Sequence, residues 1–193
     1  MYLNQKFFLL PASVAGKRVV STFEELESAM TTGGNIDIFL KNDITFKKTI
    51  EIYEPCTVNF YTDNNRTCTF NLGDKRGFYI GEESVKLYFN DCVEIKGDSF
   101  EDDGHAFWVN DYGCTINGCK FTHLGSTPFG DYRDGWTWWD GGAIYIGAEG
   151  CRIENCRFIY CTAQDVGGAI CVNNDDCQIT DCSFTECRAD VGG

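Results

Sequence analysis

The sequence lacks the features that mark several large functional classes. No apolar run in its 193 residues approaches the roughly 20 that cross a bilayer, so we predict no transmembrane segment. The 16 basic residues form no stripe and the formal net charge is −13. Such a surface repels phosphate backbones, which excludes nucleic acid as a main partner. No two of the 12 cysteines form a C-x2-C pair, so zinc-finger spacing is absent.

The first 15 residues loosely resemble a signal peptide. They contain one lysine, a short apolar stretch and the small residues Ser13 and Ala15. Pro11 interrupts the apolar stretch, which is at the lower limit of about 7 residues for such a signal. We therefore predict a structural N-terminal segment rather than an uncleaved signal.

The C-terminal half contains a 26-residue repeat. Gly141-Gly-Ala-Ile-Tyr-Ile146 returns as Gly167-Gly-Ala-Ile-Cys-Val172. Weaker copies begin at Gly104 and Gly77, and an insertion of about 11 residues follows the copy at Gly104. Five further residues recur with the same offset of 26: Cys151, Ile153, Cys156, Phe158 and Cys161. A repeat of this length indicates a solenoid, in which each unit stacks on the next.

Within each copy, apolar and polar residues alternate over three to five positions. This alternation is the period of a β-strand, and the glycine doublets and the run Asn173-Asn-Asp-Asp176 supply turns. No longer run with the 3.6-residue period of a helix occurs in the repeats. The sequence therefore predicts an all-β fold, a right-handed parallel β-helix with three short strands per coil and coils about 4.8 Å apart.

The N-terminal third is organised differently. Ser21-Thr-Phe-Glu24 is typical of a capping box, and the helix that it starts should end near Met30, before Gly33-Gly34. We predict that residues 1–35 form an N-terminal segment and a capping α-helix, because the end of a solenoid needs a cover. Residues 36–193 then form the coils, and the first strands should contain these residues: Ile36, Ile38, Leu40, Ile50, Ile52, Val58, Phe60, Phe70 and Leu72.

The chain stops at Gly192-Gly193, where a further repeat would begin. A solenoid normally ends in a polar capping repeat, and the sequence has none. We therefore expect a fragment of a longer protein, truncated at the C-terminus. Its open last coil would invite end-to-end self-association.

These patterns resemble a known superfamily. Residues 20–45 are similar to the opening of pectate-lyase-like β-helix proteins. The Gly-Gly-Ala-Ile repeats with Phe158 and Phe184 resemble adhesin-like surface proteins, among them the polymorphic membrane proteins of bacteria and the adhesin-like proteins of methanogenic archaea. In one departure, Cys161 and Cys187 replace the asparagine that usually follows the phenylalanine. The resemblance implies the fold and leaves the function open, since this fold hosts lyases, hydrolases, adhesins and phage tail spikes.

The repeated cysteines should stack in adjacent coils. In-register parallel strands hold Cβ atoms at about the 4.8 Å coil spacing, wider than the ~3.8 Å of a disulfide. We predict that most of these cysteines are reduced and act as small apolar core residues, which suits a reducing or anaerobic setting. Cys171 aligns with Tyr145 and Trp108, which have outward positions in the pattern, so we expect an exposed thiol there.

The insertion contains three of the four tryptophans. Flat aromatic faces with nearby carboxylates and an arginine suit a sugar or a protein partner. The alternative is a loop that packs its aromatic side chains against the coils beneath it. Our candidate ligand-binding residues are Tyr132, Arg133, Asp134, Trp136, Trp138 and Trp139.

The sequence contains no convincing catalytic constellation, and we predict no cofactor and no metal site. His105 and His123 are isolated, and His105 stands where other copies have glycine, so we expect a tolerated surface residue. Two function classes remain open. The first is an extracellular or cell-surface adhesin-like protein, a non-catalytic stalk or binder of a polysaccharide or host-cell partner. The second is a polysaccharide lyase, a glycoside hydrolase or a phage receptor-binding spike on the same fold.

Overall fold

The computed structural model describes residues 16–63, 66–97, 105–126 and 141–192. They form a parallel β-solenoid of about five turns. Its strands run along three faces, which we call sheets I, II and III. The expected all-β parallel β-helix with a helix near the N-terminus is confirmed.

Each complete coil contributes one strand segment to each sheet, in the order I, II, III. Sheet I contains β1 (Gly16–Val20), β2 (Gly34–Leu40), β5 (Cys56–Thr62), the first parts of β8 (Lys86–Gly97) and β10 (Thr115–Thr122), β13 (Arg152–Glu154) and β17 (Gln178–Thr180). Sheet II contains β3 (Ile44–Thr45), β6 (Cys68–Gly73), the second parts of β8 and β10, β14 (Arg157–Ile159) and β18 (Ser183–Thr185). Sheet III contains β4 (Ile50–Ile52), β7 (Phe78–Ile80), β9 (Phe107–Val109), β12 (Ile144–Ile146) and β16 (Ile170–Val172). A short pair, β11 (Gly125–Ser126) and β15 (Thr162–Ala163), follows sheet II along the chain.

The strand register follows the sequence repeat. Ile153 pairs with Ile179 and Phe158 pairs with Phe184, each with an offset of 26 residues. Phe121 pairs with Phe158, so the insertion between their copies leaves the register unchanged. In the sequence, the insertion falls between β11 and β12, so it interrupts neither β10 nor β14.

The single helix of the described residues, α1 (Phe23–Met30), begins one residue later than predicted. Its N-cap is Thr22, whose hydroxyl accepts a hydrogen bond from the Glu25 backbone N–H at 3.3 Å. The Glu25 carboxylate accepts from the backbone N–H of Thr22 at 3.2 Å. The capping box predicted at Ser21 and Glu24 is therefore wrong by one residue, because Thr22 is the residue with extended backbone before the first turn. The predicted end near Met30 is confirmed.

The apolar face of α1 covers the first full coil. Its buried residues include Phe23 and Leu26, and the Phe23 ring meets Phe46 edge to face at 5.4 Å between centroids. Before the helix, β1 pairs in parallel with β2. Sequence analysis did not predict this first strand. No helix within the described ranges is long and apolar enough to cross a membrane.

Aromatic rings stack inside the solenoid at the spacing of the coils. Phe121 and Phe158 have centroids 4.8 Å apart and ring planes 7° apart. Phe78 and Phe107 have centroids 4.9 Å apart and planes 11° apart. All four rings are fully buried. The register that pairs the strands therefore also pairs the core side chains, and each coil buries the inner face of its neighbours.

All twelve cysteines are free thiols in the structure. Those at the turns from one sheet to the next lie among the core residues. Burial raises the pKa of Cys56 and Cys151 to about 11. Their S–H groups face backbone carbonyls, as where the Cys156 thiol donates to the carbonyl of Glu154 at 3.2 Å. The thiols of Cys56 and Cys151 thus fill small core positions and remain protonated at neutral pH.

The glycine doublet of the repeat meets two separate requirements. Gly141 has φ +74° and its counterpart Gly167 has φ +68°, a left-handed conformation that favours glycine. At Gly142 the requirement is space, since a Cβ there would lie 2.2 Å from the carbonyl oxygen of Gly168 and 2.3 Å from that of Thr162. The doublet therefore permits a tight turn followed by close approach of two coils.

Candidate functional site

One row on the outer face of sheet III is aromatic in successive coils. The strand register pairs Tyr79 with Trp108, and Trp108 with Tyr145. Each is the middle residue of a three-residue strand, so its neighbours point into the core while its own ring points outward. Tyr53, just after β4, adds a ring beside Tyr79. We call Tyr53, Tyr79, Trp108 and Tyr145 the aromatic strip.

The rings of the aromatic strip lie close together. The centroids of Tyr53 and Tyr79 are 5.8 Å apart, and those of Trp108 and Tyr145 are 5.1 Å apart. The guanidinium carbon of Arg76 lies 4.5 Å from the Trp108 centroid, within cation–π range. Tyr53 is 55% exposed whereas Tyr145 is 6% exposed. A ligand would therefore contact the part of the strip from Tyr53 to Trp108.

Two positions after Tyr79, Trp108 and Tyr145 stands a glycine or an asparagine, and the glycines leave room for the rings. A Cβ on Gly81 would lie 2.7 Å from Cε1 of Tyr79, and one on Gly147 would lie 3.0 Å from Cε1 of Tyr145. In the intervening coil this position is Asn110, whose amide donates to the Tyr79 hydroxyl at 3.4 Å. The rings of Tyr79 and Tyr145 thus lean over the strand ends, toward the residues two positions farther along the chain.

His105 supports Trp108 from behind. Its ring meets the indole edge to face, with centroids 5.8 Å apart and planes at 90°. The imidazole Nδ1–H donates to the carbonyl oxygen of Gly141 at 2.5 Å. His105 is 1% exposed, so the prediction of a surface residue is wrong. The physical reason is that the glycine turn of the next coil passes directly over the imidazole.

A polar depression adjoins the exposed end of the aromatic strip. Its lining comprises Glu27, Thr31, Lys48, Thr49, Glu51, Tyr53 and Glu54. Lys48 pairs with Glu27 at 2.7 Å. Partial desolvation and the charge of Glu51 raise the pKa of Tyr53, so its hydroxyl remains a hydrogen-bond donor at neutral pH. The depression therefore offers both donors and acceptors beside an aromatic face.

This combination suits a saccharide. A sugar ring presents an apolar C–H face to an aromatic ring and hydroxyl groups to carboxylates and amides. Ligand sites in proteins commonly combine aromatic lining with a few placed polar groups. Because the coils repeat about every 4.8 Å, an extended saccharide chain can contact successive rings.

The six candidate residues of the insertion lie outside the described residues: Tyr132, Arg133, Asp134, Trp136, Trp138 and Trp139. Sequence reasoning assigned no function to the aromatic strip. The signal was present in the repeat alignment, because Gly77-Phe-Tyr-Ile80 places Tyr79 in the row of Trp108 and Tyr145. The ring of Tyr53 had no such signal, since it lies beside the row and not in it.

The last residue of this row, Cys171, corrects a prediction. It pairs with Tyr145 as the alignment indicated, but it is 7% exposed and is not an exposed thiol. The glycine turns approach its backbone closely, since a Cβ on Gly141 would lie 3.1 Å from its nitrogen and one on Gly167 would lie 3.0 Å from its Cα. The turns before two successive strands therefore close over this position.

Among the described residues, no group of three or more His, Cys, Asp or Glu side chains could hold a metal ion. No protein-family model, no curated protein and no solved structure matches the chain.

Proposed function

We propose that this protein is an adhesin-like, non-catalytic β-helix of the cell surface or extracellular space that binds a polysaccharide. The observation that carries the proposal is the aromatic strip beside a polar depression, with Tyr79 and Trp108 in one row of successive coils and Tyr53 next to Tyr79. The Gly-Gly-Ala-Ile repeats support the surface location through their resemblance to adhesin-like proteins.

The surroundings of the strip favour binding over catalysis. Cleavage of a glycosidic bond normally uses two facing carboxyl groups, one of them held protonated by apolar surroundings. The carboxylates beside Tyr53 are those of Glu51 and Glu54, and both residues are exposed. Glu27 is engaged by Lys48. Exposed or paired carboxylates suit acceptors of sugar hydroxyls better than a general acid.

Binding can be tested with a glycan array of uncharged polysaccharides, followed by calorimetric measurement of Kd. Trp108→Ala should weaken binding on the order of tenfold or more, because truncation of a tryptophan at the centre of an interface commonly costs ~2 kcal/mol or more. The matched control is Tyr61→Ala, which removes an exposed ring that stacks on Phe39 on sheet I, away from the strip. Circular dichroism should show that both variants are folded.

Gly81→Ala tests the geometry of the strip without removing any ring atom. The added Cβ would lie 2.7 Å from the Tyr79 ring and 2.8 Å from the Tyr53 ring, so both rings must move. We expect weaker saccharide binding. Thermal stability should fall little, because the added Cβ displaces the flexible ends of two side chains and leaves the backbone in place. Binding that survives both Gly81→Ala and Trp108→Ala would refute the proposal. Release of reducing or unsaturated ends would show an enzyme instead.

A further inference from the structure

A second depression lies on the outer face of sheet I, on a different side of the solenoid from the aromatic strip. Its volume is about 420 Å³, within the ~300–1,000 Å³ range of small-ligand pockets. Most of its surface is polar, and it is lined by Ser84, Lys86, Tyr88, Gly113, Thr115, Gly150, Arg152 and Glu154.

The strand register explains how this depression forms. Lys86, Thr115 and Arg152 occupy the same row in three successive coils. Thr115 is 8% exposed and forms the floor, while the longer side chains of Lys86 and Arg152 stand on either side of it. Two coil spacings of about 4.8 Å separate the backbones of the two cations, so both can reach one group seated above Thr115.

Lys86 and Arg152 have no ion-pair partner among the described residues. Elsewhere on the solenoid, basic residues pair with carboxylates, as Lys120 does with Glu94 at 3.1 Å and Arg157 does with Asp91 at 3.2 Å. Within the part of the chain that the structure describes, neither Lys86 nor Arg152 has an ion pair. In a chain of net charge −13, two unneutralised cations facing one polar depression are unexpected on charge alone.

A carboxylate of the same depression forms no ion pair with either cation. Glu154 lines the same depression, but its Oε2 accepts a hydrogen bond from the Asn117 amide at 3.0 Å. Glu154 and Asn117 belong to the neighbouring row, with Tyr88. The row of Lys86, Thr115 and Arg152 thus presents two cations and a hydroxyl, and the Glu154 carboxylate lies beside it in the neighbouring row.

We propose that Lys86 and Arg152 bind an oxyanion, the carboxylate or sulfate group of an acidic saccharide, with the Thr115 hydroxyl as a third donor. Guanidinium and ammonium groups form their strongest hydrogen bonds with such groups. Acidic side chains more than about 8 Å from the site repel such a group only weakly, because they are screened at physiological salt. The site is independent of the aromatic strip, and either can exist without the other.

The test measures binding of four probes to the full chain: inorganic sulfate, dextran sulfate, polygalacturonate and uncharged dextran. We expect binding of at least one charged polymer, weakened by added salt, and no binding of dextran at this site. Lys86→Gln/Arg152→Gln should weaken that binding on the order of tenfold or more. Glu154→Gln should strengthen it, since it removes a carboxylate that lines the depression. Affinity for inorganic sulfate alone would assign the site to a free anion and overturn the saccharide part of the proposal.

The matched control is Arg157→Gln/Lys120→Gln, which removes two cations that are already paired with carboxylates on sheet II. This control should leave binding of the charged polymers unchanged. Equal losses in both double variants would mean diffuse electrostatic attraction and would overturn the proposal, as would a wild-type chain that binds none of the charged probes. All four substituted cations are on the surface, and the single variants Lys86→Gln and Arg152→Gln provide the same test should a double variant fold poorly.

Discussion

Gly142→Ala should destabilise the solenoid severely, although alanine is normally a mild replacement. The added Cβ would lie 2.2 Å from the Gly168 carbonyl oxygen and 2.3 Å from the Thr162 carbonyl oxygen. Both obstacles are backbone atoms, so relief requires one coil to move away from the next. That movement would stretch ladder hydrogen bonds such as Gly142 N–H to Gly167 O at 3.1 Å and Ala143 N–H to Ala169 O at 2.8 Å.

The magnitude follows from these contacts. Overpacking a close-packed site costs typically ~1–3 kcal/mol. Weakening about two backbone hydrogen bonds adds roughly 1 kcal/mol each. We therefore expect a loss of about 3–5 kcal/mol, a large part of the ~5–15 kcal/mol that stabilises an ordinary domain.

A matched control separates steric overlap from backbone strain. Gly150 has φ +68°, but a Cβ there would meet nothing within 4 Å. Gly150→Ala should therefore lose only the roughly 1–2 kcal/mol of a left-handed L-residue. Urea unfolding followed by circular dichroism gives the free energy of unfolding of both variants. An equal dependence of that free energy on urea concentration would show that the compactness of the denatured state is unchanged. A Gly142→Ala variant no less stable than Gly150→Ala would refute the account of close coil approach.

Three further predictions concern the core, the helix cap and the thiols. Phe107→Ala should lower the free energy of unfolding by about 3–5 kcal/mol, because its fully buried ring stacks on Phe78 in the core. A loss below ~1 kcal/mol in urea unfolding would contradict this prediction. Thr22→Ala should lower the free energy of unfolding by ~1 kcal/mol and Ser21→Ala by much less, since Thr22 provides the capping hydroxyl. A larger loss of thermal stability in Ser21→Ala than in Thr22→Ala would instead support a capping box that starts at Ser21. Burial raises the pKa of Cys56 and Cys151 to about 11, so these thiols stay protonated in the fold while unfolded thiols ionise near pH 8.5. The contribution of these two thiols to the free energy of unfolding should thus be constant below about pH 8.5 and fall toward pH 11 by up to ~1.4 kcal/mol per pH unit for each thiol; a stability that does not fall from pH 8.5 to 10.5 would count against protonated core thiols.

The repeat in the sequence was sufficient to predict the fold and much of its register. The common offset of 26 residues from Ile153 to Ile179 and from Phe158 to Phe184 is the offset of the paired strands. This was predictable because each coil buries its inner face only against the equivalent residues of the next coil, so the repeat must align apolar positions. The alternation within each copy likewise predicted short strands, since its period is local to the chain.

Only the tertiary structure decided the surface sites. Tyr53, Tyr79 and Trp108 are separated by unequal lengths of chain, and they meet because backbone hydrogen bonds fix the register whatever the length of the intervening turns. Lys86 and Arg152 are brought to one depression in the same way. The burial of His105 and Cys171 depends on glycine turns of neighbouring coils, which no local pattern around either residue records. Periodic side chains thus determined the core, whereas exposure and ligand chemistry depend on what adjacent coils place over each residue.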